Sequence, residues 1–99
     1  MSQVVLHPLP TPWSEEGLEP AVSDLVGCPA EWVTNHEVDV GRLCNWIYVH
    51  EFRLKGHPTA ERCFVVRTKV DETWTYLKDD TVRCPDDAVR QMLSERRGS

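Results

Sequence analysis

No lysine or arginine occurs among the first 39 residues, which instead carry Glu15, Glu16, Glu19, Asp24, Glu31, Glu37 and Asp39, a balance of −7. A segment without cations cannot displace the counterions around phosphates, so it is a poor surface for nucleic acid. The remaining residues hold nine acids and eleven bases, or +2. The net charge of −5 therefore conceals a dipole along the chain.

Long apolar runs are missing as well. Nothing approaches the roughly 20 residues that span a bilayer, and the N-terminus lacks the basic start and apolar stretch of a secretory signal. The expectation is a cytoplasmic protein that does not enter a membrane. Cys28, Cys44, Cys63 and Cys84 form no close pair, being separated by fifteen, eighteen and twenty residues. Zinc sites are commonly assembled from C-x2-C pairs, so no metal and no cofactor is expected. Cys44 and His50 would share a strand face, but six residues at about 3.3 Å each hold them too far apart for one ion. An even cysteine count fits a disulfide framework in a secreted protein; without a signal segment, reduced thiols are expected.

Glycines are few and isolated, at Gly17, Gly27, Gly41, Gly56 and Gly98, which excludes a phosphate-cradling loop and nucleotide hydrolysis. No Ser or Cys nucleophile is marked by a local signature with His and acid. His36 and His57 read as exposed polar residues and His50 as a half-buried strand residue, so no catalytic residue is assigned.

What is present is a chain of 99 residues, 40% apolar, with four tryptophans, enough for one domain with one modest core. Residues 1–39 read as an acidic, proline-containing arm with short helices. Val4-Val5-Leu6 is a short β-type run, and Pro8, Pro10 and Pro12 continue it as an extended arm. Ser14, Glu15 and Glu16 resemble a helix start, which Gly17 and Pro20 limit to a turn. A brief helix is predicted from Pro20 to Val26, capped by Gly27, and another over Cys28–Val33 with Pro29 in its first turn.

Residues 40–83 read as an antiparallel sheet. Leu43 to Lys55 alternates, with Trp46 and Tyr48 on one face and Ile47 and Val49 on the other, as in a strand covered on both sides, and with a solvated far end. A helix from Asp39 to Ile47 ranks second, because Gly41 weakens it and the following residues are aromatic or β-branched. A turn at 55–60 leads to a strand at Arg62–Val70, and a further turn to Trp74–Lys78 and a short return at Thr81-Val82. Residues 84–97 then form the clearest helix, with Pro85 in its first turn, Asp86 and Asp87 at its positive end and an apolar stripe of Ala88, Val89, Met92 and Leu93. The fold class is α+β: a small antiparallel meander of three or four strands packed against a C-terminal helix.

Two surfaces follow. Glu15, Glu16, Glu19, Asp24 and Glu31, interleaved with Trp13 and Trp32, form a partner-binding surface for a basic protein. Aromatic anchors supply affinity there, and carboxylates meet lysines and arginines. This points to a non-enzymatic protein-binding module, an inhibitor or regulator of phage or mobile-element type acting on a nucleic-acid-handling partner. The alternative is a small nucleic-acid-binding domain using Arg53, Lys55, Arg62, Arg67 and Lys69 on the hairpin. A cysteine-nucleophile enzyme ranks third.

Overall fold

The computed structural model describes residues 3–6, 15–39, 46–67 and 73–98. Its elements are β1 (Gln3–Leu6), α1 (Glu15–Val26), β2 (Ala30–Asp39), β3 (Trp46–Leu54), β4 (Arg62–Arg67), β5 (Thr73–Leu77) and α2 (Pro85–Gly98). The strands form one antiparallel sheet in the order β1-β5-β4-β3-β2. β2 to β5 are a meander in chain order, and β1 adds a fifth strand beside β5. The fold class is therefore α+β, as the sequence predicts. The sheet nevertheless extends beyond 40–83, taking in the Val4–Leu6 run and residues 30–39, of which the sequence predicts 30–33 to be helical.

Side chains alternate across the sheet and build two cores. On the front, Ile47, Val49, Phe64, Val66 and Tyr76 are buried against Val82 and the α2 stripe of Ala88, Val89 and Met92. On the back, Phe52, Leu54, Cys63 and Val65 are buried against Leu18 and Val22 of α1. β4 contributes to both cores, since Cys63 to Val66 are all buried. This is the run expected of a strand covered on both faces.

α1 is longer than predicted and runs straight through Pro20. The proline removes one internal hydrogen bond, but Leu18 and Val22, one turn apart, bury themselves against the back of the sheet and hold the helix. Gly27 ends it in the left-handed region, at φ 77°, with its N–H donating to the Ser23 carbonyl at 3.0 Å. The helix predicted over Cys28–Val33 is not formed. β2 begins at Ala30, because Trp32, Val33 and Thr34 are strand formers and Trp32 packs against the back core. The ranked-second helix from Asp39 to Ile47 is likewise displaced: Asp39 ends β2 and Ile47 lies in β3, with 40–45 outside the described residues.

The far end of β3 is not solvated on both faces. Phe52 and Leu54 are buried beneath α1, whereas Tyr48 is 47% exposed. Thr81-Val82 forms no strand. Asp79 instead closes a turn, its Oδ1 accepting from Thr81 N at 2.8 Å and Val82 N at 2.9 Å, which drives Val82 into the front core. α2 opens as predicted, with Asp87 reaching back to accept from Arg83 N at 3.1 Å. That hydrogen bond, with smaller contributions from the Cys84 side chain and nearby arginines, outweighs a small desolvation effect and lowers the Asp87 carboxyl. Among the described residues no helix is long and apolar enough to cross a membrane.

Candidate partner-binding surface

The acid-bearing residues 15–39 fold into one edge of the domain, whereas β1 lies at the other. β2 is the terminal strand of the sheet, and α1 leads into it through Gly27. The direction of each backbone group on β2 follows from its neighbour. Leu54 N donates to Glu61 O at 2.8 Å and Lys55 N to Pro29 O at 3.0 Å, so even residues of β3 turn toward β4 and odd ones toward β2. Glu31, opposite Arg53, faces inward, while Ala30 and Trp32 face outward. Both outward N–H groups are taken by α1: Ala30 N donates to Ser23 Oγ at 2.9 Å and Trp32 N to Glu19 Oε2 at 2.7 Å. Glu19 and Ser23, four residues apart, lie on one helix face and seal this half of the edge.

The register then shifts between Trp32 and Thr34, leaving Val33 as the extra residue of a β-bulge. Beyond it Thr34, His36 and Val38 lie opposite Glu51, Val49 and Ile47 and face inward, so that Asn35, Glu37 and Asp39 face outward. Asn35 O accepts a long 3.5 Å contact from Thr34 Oγ1. With β2 paired to β3 on one side, the N–H of Asn35 and both backbone groups of Glu37 point away from β3 toward the edge of the sheet.

Of the acids assigned to a partner surface, Glu19 is thus committed to the fold. Asp24 is exposed on α1. Glu31 is exposed on β2 and pairs with Lys55 at 3.3 Å. Glu15 and Glu16 open α1, their side chains lying outside the described residues, as does Trp13. Trp32 is half-buried and donates through Nε1 to Asn35 Oδ1 at 2.9 Å. The same oxygen lies 2.6 Å from His50 Nδ1, which places the His50 proton on that nitrogen. Burial, and then the nearby Arg67 charge, push the His50 pKa down to about 4, so the ring is neutral at physiological pH.

The cations of the hairpin are not brought together. Arg53 and Arg62, directly opposite each other, lie on the front, whereas Arg67, opposite Tyr48, lies on the back. Arg62 is paired with Glu51, and Lys55 with Glu31. Lys69 lies outside the described residues. Glu51 also accepts from His36 Nε2 at 2.8 Å, giving a His36–Glu51–Arg62 network beside the front core. Burial alone would raise the Glu51 carboxyl, but these hydrogen bonds and charges prevail and hold it below the usual carboxylate range.

Sequence reasoning missed both this network and the open edge, for one reason: residues 30–39 were not read as a strand. The alternation of Thr34, His36 and Val38 with Asn35, Glu37 and Asp39 was the available signal. Among the thiols, Cys63 is buried and its pKa is pushed up to about 12, by desolvation first and by its proximity to Cys28 second. Such a thiol is inert as a nucleophile. Among the described residues no cluster of three or more His, Cys, Asp or Glu could hold a metal ion. Comparison with known proteins returns no match: no family model, curated protein or solved structure resembles this chain.

Proposed function

We propose that this chain is a non-enzymatic protein-binding module, a small inhibitor or regulator that engages a basic, nucleic-acid-handling protein in the cytoplasm. The observation that carries the reading is the placement of the cation-free segment. α1 and β2 stand together at one sheet edge, so the exposed Asp24 and Glu37 share that edge with the half-buried Trp32, while Glu31, paired with Lys55, stands on the opposite face of β2. Carboxylates so placed steer a cationic partner and occupy the lysines and arginines it would otherwise offer to phosphate. A regulator of phage or mobile-element type is the kind of protein this reading implies.

The alternative, direct nucleic-acid binding by the hairpin, gains less support, since Arg62 and Lys55 are paired with acids and Arg67 lies on the opposite face from Arg53. The test is retention of a partner by the tagged chain at low and high salt, followed by kinetics with a double variant, Asp24→Lys with Glu37→Lys. Association is expected to slow by about tenfold and to lose much of its salt dependence. Unchanged association would overturn the electrostatic reading, and oligonucleotide binding at low salt would favour the alternative.

A further inference from the structure

The β2 edge is sealed at one end and open at the other, and this asymmetry defines what it can accept. α1 supplies acceptors to the outward N–H groups of Ala30 and Trp32, so no added strand can pair there. Past the bulge at Val33, Asn35 and Glu37 present their backbone groups outward in a regular register against β3. A strand edge of this kind is a template for another strand. We propose that an extended, lysine- or arginine-bearing segment of the protein partner adds to the sheet as a sixth strand along 34–38, hydrogen-bonding to Asn35 and Glu37.

Charge selects the occupant. Past the bulge, β2 carries Glu37 and Asp39 and no Lys or Arg. An added strand places a side chain directly opposite Glu37 on the back of the sheet, where a cation pairs favourably and an acid repels. A second copy of β2 would bring only further acids and no base, which argues against self-association along this edge. The proposal rests on the acidic-surface reading above and specifies its geometry.

The probe is a short synthetic peptide alternating lysine or arginine with valine, and a copy of it N-methylated on the edge that would pair. Three chains are compared by titration: wild type, Glu37→Gln and Glu37→Pro. Both substitutions remove the charge, but only proline removes the outward N–H and sets its ring against the incoming strand. Because that N–H points away from β3, Glu37→Pro should keep its fold, which its thermal unfolding midpoint checks.

Strand addition predicts binding to wild type, a loss of roughly threefold in Glu37→Gln and of about tenfold or more in Glu37→Pro, and no binding of the methylated peptide. Amide exchange at Asn35 and Glu37 should slow when peptide is bound. Equal losses in the two variants would overturn strand addition while leaving the acidic-surface reading standing. Absence of peptide binding to wild type would overturn the proposal, as would a concentration-dependent dimer that protects the same amides without peptide.

Discussion

The Trp32 backbone N–H donates to the Glu19 carboxylate at 2.7 Å, tying the edge strand β2 to helix α1 across thirteen residues of sequence. The carboxylate is an acceptor for the main chain as well as a surface charge. Glu19→Ala should destabilise the protein by about 1–2 kcal/mol, a fall in unfolding midpoint of about 4–16 °C, because the Trp32 N–H loses its partner. Glu19→Gln keeps an acceptor oxygen and should recover at least half of that loss in a thermal melt.

The His36–Glu51–Arg62 network makes a second stability prediction. Glu51→Ala leaves an arginine and a histidine beside the front core with no carboxylate to accept from them, and should cost about 1.5–3 kcal/mol in chemical denaturation. Glu51→Gln should cost less, since one oxygen remains. Equal costs would show that the charge of Glu51 contributes more than its hydrogen bonds.

Stability should fall as the pH drops below neutrality, in two stages. His50 has a folded pKa of about 4, below its unfolded value, so the folded state binds fewer protons than the unfolded one over that interval. Its contribution is complete above the unfolded pKa and is lost between about pH 6.5 and 4. With its partial exposure to water discounted, the loss is on the order of 1–2 kcal/mol. His50→Gln should flatten this limb of a stability-against-pH curve. Glu51 and Asp87, both held below their ordinary values, contribute stability above the unfolded carboxylate range and lose it in a second stage as the pH falls further.

Thiol labelling at neutral pH should be strongly unequal. Cys84 is exposed, Cys28 half-buried and Cys63 buried with its pKa pushed up to about 12. Of these three, Cys84 should react first and Cys63 only on unfolding, as read by mass spectrometry of labelled peptides. Rapid labelling of Cys63 in the folded protein would contradict its burial.

Core truncation separates the covered and the open part of the back of the sheet. Phe52→Ala opens a cavity beneath α1 and should cost about 3–5 kcal/mol, whereas Tyr48→Ala, four residues earlier on the same face, should cost under about 1 kcal/mol because Tyr48 is 47% exposed. Chemical denaturation of both variants measures the difference.

Some of this molecule was decided locally and was therefore legible. Pro85, Asp86 and Asp87 fix the start of α2, and the spacing of Ala88, Val89 and Met92 fixes its buried stripe; capping and helical periodicity act over a few residues. Gly27 marks the end of α1 because a left-handed residue is needed there. The aromatic and β-branched run from Trp46 to Phe52 and the apolar middle of β4 declare strands for the same reason. The cation-free composition of residues 1–39 is a property of the sequence alone.

Only the tertiary structure decided the rest. Pro20 sits inside a helix because burial of Leu18 and Val22 against the sheet outweighs one lost hydrogen bond. Residues 30–39 are a strand because β3 offers them a ladder and α1 accepts the N–H groups that would otherwise point into solvent. Whether Glu19 serves the fold or a partner, and whether Arg53 and Arg67 share a face, depends on registers between segments far apart in the chain. Composition fixes which charges exist, but strand pairing determines which of them meet, because each step along a strand reverses the face on which a side chain stands.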